Sequence, residues 1–350
     1  MGTRVHSNEH VRVEVSEMSQ VAQARRVATM LAHTCGFDEH AVGTAALLAT
    51  ELSTNQVKHA KDCEILLRMV TGTQGDGVEM LALDRGPGMA NVGHAFVDGH
   101  STSGTSGTGL GAISRMASEF DVYSQPGKGT ALLARLWKSS EEERREPKLM
   151  TSAMTAGLVC LAKTGEEVCG DGWVHEEYAD RALYAVVDGL GHGLQAAEAS
   201  RAAILSMRED QTIGPAGYID RAHGMLRSTR GAAMAVAELV HRQAVVKFAG
   251  VGNIGAVLVG PQGSRHLVSL NGTVGHQIHR VKEFEYPWPT GTMLIMHSDG
   301  IATHWDLHDY PGLTSHHPTL VAGILYRDFA RGRDDVTVLV VKGMSDRKAN

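Results

Sequence analysis

The stretch Tyr184–Ser200, YAVVDGLGHGLQAAEAS, constrains the fold more than any other part of this 350-residue chain. Tyr184–Val187 is a short run of apolar, mostly β-branched or aromatic residues and reads as a strand. Asp188-Gly-Leu-Gly-His-Gly193 is too rich in glycine to continue the strand and reads as a turn. Leu194–Ser200 is rich in alanine and favours a helix. A strand therefore delivers a carboxylate to a tight loop, and a helix departs from it. On its own the pattern also describes a plain strand–turn–helix connection with an Asp capping the turn. The rest of the chain has to decide between a site and a cap.

A chain of this length suggests about two domains. Ser139–Lys148 (SSEEERREPK) is a charge run with no apolar face and reads as a solvated linker. The expected division is residues 1–138, a linker at 139–150, and residues 151–350. A net charge of −6 with dispersed Lys and Arg argues against a nucleic-acid surface. No apolar run approaches the ~20 residues of a bilayer span, and the opening MGTRVHSNEHVRVEV has no signal-peptide core. Cys35, Cys63, Cys160 and Cys169 show no CxxC spacing, so reduced thiols in a cytoplasmic protein are the simplest account. Several histidines crowd His304–His317, but their spacing is irregular and no cysteine is near, unlike a zinc site.

The first half alternates helices and strands. Val11–Val15 alternates apolar and charged residues and predicts a strand. Apolar spacing predicts helices over Ser19–Cys35, stopped by Gly36, and over Glu39–Ala60, capped by Asp38. Strands are expected at Ile65–Thr71, Val78–Leu83, Glu119–Ser124 and Thr130–Trp137, and a short helix at Leu110–Met116. The second half opens with an expected strand at Met154–Lys163. It then reads as many short strands around two helices, about Leu194–Asp210 and Tyr218–Ser228.

Three features of the first half could act together. Glu51, Asn55 and Lys58 are spaced i, i+4, i+7 and share one helical face, which could present a base, a metal ligand and a phosphate contact. Asp84-Arg-Gly86-Pro-Gly88 places a carboxylate after an apolar strand, with glycines that let a flat base approach the backbone. Gly104-Thr-Ser-Gly107-Thr108-Gly109-Leu110-Gly111 opens a helix whose N–H groups suit phosphate oxygens. Each piece alone is also an ordinary solvated face or turn. Their order resembles the GHKL ATP-binding fold over Val11 to about Trp137, most closely the RsbT/RsbW-type serine kinases of bacterial partner switching. The resemblance implies that Glu51 is the general base and Asn55 binds the Mg²⁺ of ATP. It also implies that Asp84 reads the adenine amino group and that Gly107–Gly111 wrap the phosphates.

In the second half, Asp171 (in CGDGW), Asp188, Asp299 (in MLIMHSDG) and the pair Asp334-Asp335 (before VTVLVV) fall at the ends of apolar strands. Carboxylates on one sheet edge repel one another, and hard divalent cations relieve that repulsion. Two such ions can activate water for attack on phosphorus. The alternative is that each Asp caps a turn. The order GD, DGxGHG, SDG, DDVT resembles the SpoIIE/RsbX-type members of the metal-dependent, type 2C-like Ser/Thr phosphatases over about Thr155 to Lys342. That resemblance implies a dinuclear Mn²⁺ or Mg²⁺ centre with Asp188 bridging, Gly189 contributing its carbonyl, and Asp171, Asp299 and Asp334 completing the set. Asp334 is chosen over Asp335 because the first position of the family's closing motif is the ligand. GVGN (Gly250–Asn253) also matches and looks structural there. His192 could contact the substrate phosphate or shape the turn.

Together the resemblances imply an α+β chain of two domains: a GHKL (Bergerat) α/β sandwich, then a type 2C-like β-sandwich flanked by helices. They imply an ATP-dependent Ser/Thr kinase fused to an opposing phosphatase, acting on a phosphorylatable STAS-domain protein, with a sigma factor or further switch protein downstream. A homodimer is expected on family grounds only. The competing reading has the first domain as a nucleotide-responsive binding or gating module that transfers no phosphate.

Overall fold

The computed structural model describes residues 9–72, 74–93, 109–138, 154–208 and 213–343. The first half runs β1 (Val11–Glu14), α1 (Met18–Thr34), α2 (Glu39–His59), β2 (Glu64–Gly72), β3 (Gly75–Leu83), α3 (Gly109–Met116), β4 (Glu119–Gln125) and β5 (Gly129–Trp137). Local chemistry sets the helix ends. The Gln20 side chain accepts from the Ser16 and Glu17 N–H groups ahead of α1. Asp38 caps α2 by accepting from the Ala41 N–H at 2.7 Å. Gly36, at φ +71, stops α1 in a conformation that favours glycine.

The strands form an antiparallel sheet in the order β1-β2-β3-β5-β4. Its middle strands, β2, β3 and β5, are buried on both faces over most of their length. Ile65, Leu67, Val78, Met80, Ala82, Leu132 and Ala134 join one core with Ala24, Ala28 and Leu31 of α1 and Ala45, Leu48, Ala49 and Leu52 of α2. Removing each of those Leu, Ile and Val side chains from water stabilises the fold by about 1.5–3 kcal/mol. The other face carries Leu66, Leu81 and Leu83, all fully buried, and a charge ladder. Arg68, Glu79, Arg135 and Glu119 are direct cross-strand neighbours on β2, β3, β5 and β4.

The second half contains β6 (Met154–Leu161), β7 (Asp171–Glu177), β8 (Arg181–Gly189), α4 (Leu194–Ser206), α5 (Pro215–Met225), β9 (Ala232–Val240), β10 (Val245–Val251), β11 (Gly255–Gly260), β12 (Gly263–His266), β13 (Gly272–Thr273), β14 (Gln277–Ile278), β15 (Phe284–Pro287), β16 (Met293–His297), α6 (Pro318–Phe329) and β17 (Val336–Gly343). Two sheets, ordered β15-β10-β9-β8-β7 and β12-β11-β16-β17-β6, face each other. Their common core includes Tyr184, Val186, Phe248, Leu294, Met296 and Leu339. Leu183, Ala185 and Val187, on the opposite side of β8, pack with Ala199 and Ala203 of α4 and Tyr218 and Ile219 of α5. A stretch of strand buried on both faces has to be apolar, and β8 is from Ala182 to Val187.

Three expectations need correction. The strand expected at Met154–Lys163 ends at Leu161, and Gly165 turns at φ +94. Asp171 does stand at the end of a strand, but that strand, β7 (DGWVHEE), is not apolar throughout. The second half holds a further helix, α6, whose residues Pro318–Arg327 are all buried. A helix that is apolar all round shows no amphipathic stripe to read. The expected linker at 139–150 lies outside the described residues.

The chain forms two compact units that are not colinear with the halves. One comprises residues 10–138 together with 306–327, so α6 belongs with the first sheet. The other holds Glu9 and residues 154–305 and 328–343. Gly323 of α6 lies against Leu81 and Leu83, and Thr319 donates to Glu79 at 3.3 Å. Arg135 donates to Thr319 at 3.1 Å. α6 thus covers the ladder face of the first sheet. Glu79 accepts from Arg68 at 2.6 Å and Arg135 at 2.7 Å. Burial alone would raise its pKa, but the two guanidinium groups outweigh burial and hold it well below the ordinary value. His316 and His317, from the histidine-rich stretch, bond Asp121 at 2.9 and 2.7 Å.

Candidate active sites

In the first unit, the end of α2 is pinned beside the end of β3. Gln56 Nε2 donates to the carbonyls of Glu64 and Leu83, each at 2.9 Å. Asn55, the residue before Gln56 on α2, is half-buried. Asp84 Oδ1 accepts from the N–H of Gly86 (2.8 Å) and of Thr130 (3.1 Å), which fixes the carboxylate's rotation. Burial raises its pKa despite those bonds. A Cβ at Gly86 would lie 2.9 Å from the Ala60 side chain, so the loop rests directly on the end of α2. Gly88 adopts φ +67, and a Cβ there would meet the Gln125 carbonyl oxygen at 2.1 Å. Glu51 and Asn55 are half-buried and Lys58 is exposed on the same helix. Gly109, Leu110 and Gly111 form the first turn of α3, which packs on α2. Gly104, Gly107 and Thr108 lie outside the described residues.

In the second unit, the antiparallel register sets Asp171 directly opposite Asp188. The Asp171 carboxyl is buried, its Oδ2 has no hydrogen-bond partner, and Ser298 bonds the group. Ser298 Oγ in turn accepts from the Thr337 N–H at 2.9 Å, tying the SDG and DDVT motifs together. The Asp299 N–H bonds the Asp188 carboxylate. Asn253 Nδ2 holds Asp299 Oδ2 at 2.7 Å, so GVGN serves to fix a candidate ligand. Gly189 admits no side chain: a Cβ would lie 2.1 Å from the Ala196 carbonyl oxygen.

The electrostatics match a crowd of like charges. Asp171 is raised well above its ordinary value by burial and then by Asp188. Asp188 is pushed up to about 7 by burial and then by Asp299 and Asp334. Asp299 is raised by burial and Asp334, with Arg331 and Asn253 opposing. Asp334 and Asp335 differ. Asp335 accepts from Lys163 N–H with Oδ1 (2.8 Å) and from Gly170 N–H with Oδ2 (3.0 Å), whereas Asp334 Oδ1 accepts from the Asp335 N–H at 3.0 Å. Among the described residues, no three His, Cys, Asp or Glu side chains stand close enough to enclose a metal ion. The donor set nevertheless suits hard divalent cations: oxygen ligands, one of them buried without a partner, that repel one another.

His192 Nδ1 meets Glu166 Oε1 at 2.5 Å. Gly191, next to it, has the Arg230 guanidinium beside it, 2.9 Å from where a Cβ would be. Glu166 and Arg230 lie outside the motifs read in the sequence, and Ser298 was read only as part of SDG, with no role of its own. No disulfide forms between Cys160 and Cys169, whose sulfurs are 3.8 Å apart.

Comparison with known proteins agrees with this division of chemistry. Residues 15–136 match the family described as Histidine kinase-like ATPase domain, and residues 179–343 match Stage II sporulation protein E. Serine/threonine-protein kinase RsbT of Bacillus subtilis is 30% identical over 133 residues, which are 37% of this chain and 98% of that protein. Phosphoserine phosphatase RsbX of the same organism is 28% identical over 143 residues, 40% of this chain and 71% of that protein. A chain solved in work on the bacterial stressosome superposes with a TM-score of 0.51 at 29% identity, covering 55% of this chain and 100% of its own length. Among the described residues, no helix is long and apolar enough to cross a membrane.

Proposed function

We propose that this chain, which belongs through its first half to the family of the serine/threonine-protein kinase RsbT and carries a SpoIIE-type phosphatase domain in its second, both places and removes one regulatory phosphate. The observation that carries the reading is Asp188, set opposite the Asp171 carboxylate in the strand register and repelled by Asp299, on the same chain as the Glu51/Asn55 face. The substrate is a Ser or Thr of a STAS-domain protein, with a sigma factor or further switch protein beyond it. The setting is the cytoplasm.

At the kinase site, Glu51 takes the proton of the attacking hydroxyl, Asn55 holds the Mg²⁺ of ATP, and Asp84 accepts from the adenine amino group. Lys58 and the segment from Gly104 through Gly107, Thr108, Gly109 and Leu110 to Gly111 meet the phosphates, and Gly86 and Gly88 let the base lie against backbone. At the phosphatase site, Asp188 would be shared between two Mn²⁺ or Mg²⁺ ions, and the Gly189 carbonyl, Asp171, Asp299 and Asp334 would supply the other ligands. Those ions, when bound, supply an activated water and offset phosphoryl charge. Asn253 and Ser298 hold their ligands in place, and Arg230 meets the substrate phosphate at the Gly191 turn.

Incubation with γ-labelled ATP and a STAS-domain protein tests the reading. Label should accumulate on the substrate in the Asp188→Asn variant and vanish with Glu51→Ala. Labelling that survives Glu51→Ala refutes the base. Phosphatase activity that survives EDTA refutes the metal centre. A second reading, in which the first unit gates the phosphatase without transferring phosphate, is favoured by the placement of residues 306–327. It gains if the Asp188→Asn chain labels nothing.

A further inference from the structure

Residues 306–327 lie between Asp299 and Asp334 in sequence, yet they pack in the unit of the nucleotide-site sheet. The excursion closes at its base. Ile301 bridges Ala330, the Ala302 N–H donates to the Phe329 carbonyl (2.9 Å), and the Arg331 N–H donates to the Gly300 carbonyl (2.8 Å). This stem adjoins Asp299 directly, and the Arg331 charge acts on it. A Cβ at Gly300 would lie 2.1 Å from the Asp335 carbonyl oxygen, so the stem also abuts the segment carrying Asp334.

The far end of the excursion is bonded around Asp84. Arg327 Nη1 donates to the Asp84 backbone carbonyl at 2.9 Å. Tyr326 donates to Glu64 at 3.0 Å, on the strand beside β3. Lys128 Nζ donates to the Asp309 carbonyl at 2.8 Å and sits 4.4 Å from the centre of the Tyr310 ring. Lys128 belongs to the turn whose next residue, Gly129, would carry a Cβ 2.1 Å from the Asp84 carbonyl oxygen. The chain between two phosphatase carboxylates thus completes the wall behind the residue assigned to adenine.

We propose that the excursion is a coupling arm, with Arg327 a positioning residue of the nucleotide site contributed by the phosphatase half. Nucleotide held against Asp84 sets the position of Arg327. α6 runs unbroken from Pro318 to Phe329, so that setting reaches the stem at 300–302 and 329–331, and with it Asp299 and Asp334, along the helix itself. The coupling is reciprocal: whatever nucleotide does to the carboxylate cluster, occupancy of the cluster does to nucleotide affinity. This rests on the reading of the first unit as a nucleotide site.

The test uses the full chain at fixed Mg²⁺ with a fluorescent ADP analogue and hydrogen exchange. Arg327→Ala is expected to raise the dissociation constant about tenfold, the loss of one charge-assisted bond. ADP should slow exchange of the amides at 298–302 and 329–336 several-fold in the wild type. In Arg327→Ala it should have no such effect at matched occupancy, a difference that a merely structural role would not produce. If that variant does not fold, the wild-type exchange comparison decides. ADP that binds without altering exchange in those segments overturns the coupling and leaves the nucleotide site standing. Failure of ADP to bind overturns both.

Discussion

Asp334 and Asp335 are neighbours with different tasks. Both oxygens of Asp335 hold backbone N–H groups, of Lys163 and Gly170, so its carboxylate is part of the fold. Asp335→Asn should cost about 1–3 kcal/mol in chemical denaturation, because an amide can accept only one of those bonds without turning an NH₂ toward the other donor. Asp334→Asn should leave the metal-free fold within about 0.5 kcal/mol of wild type. It should also weaken Mn²⁺ binding at least about tenfold by calorimetry, since even an indirect support of a metal is worth that much. The opposite ranking would exchange their roles. Glu79 shows the same logic in a charge ladder. Glu79→Gln removes the buried carboxylate that Arg68 and Arg135 share, leaving Arg135 its pair with Glu119, and should cost about 3–5 kcal/mol at neutral pH. Its folded pKa lies below the ordinary 4.5, so the unfolded state binds the proton more readily. The ladder's contribution is therefore present above pH 4.5 and fades as pH falls through the lower folded value. The wild-type and Glu79→Gln denaturation midpoints should converge in acid. The four aspartates stand out in the sequence because each lies at or beside one end of a strand, next to glycine or a second Asp. Arg68 and Glu79 were not, because pairing across strands depends on register, which no single strand reveals.

At the scale of elements, sequence reading was reliable where a helix had one wet face. α1 and α2 show their apolar stripes and their caps, and they fall within a residue or so of expectation. It failed for α6, which has no wet face, although β3 (VEMLAL) already carried the complementary signal of a strand apolar on both sides. Gly323 makes α6 testable. A Cβ there meets the Leu81 and Leu83 side-chain tips at 2.9 and 3.1 Å. Those tips can yield to one methyl group, so Gly323→Ala should cost less than about 1.5 kcal/mol, whereas Gly323→Leu should overpack the face and cost about 1–3 kcal/mol. Thermal unfolding of the two variants separates them. Equal costs would mean that α6 is not seated against the sheet.

At the scale of the molecule, the two units should answer to different ligands. Mn²⁺ at one hundred times its dissociation constant should stabilise the carboxylate unit by about 2.7 kcal/mol, and EDTA should remove that gain. A melt insensitive to either would argue against the ions. The excursion of residues 306–327 also bears on descent. Recombination within the charged stretch at 139–150 looks like a clean way to shuffle kinase and phosphatase genes, but it would leave every chimera mismatched. The first half would arrive with the Arg68–Glu79–Arg135 ladder and Leu66, Leu81 and Leu83 bare, and the second with a foreign α6. A viable exchange has to carry the short segment from Asp306 to Arg327 along with the front half. In the descent of this chain, α6 and the sheet it covers should therefore change together, as residues of a single domain do.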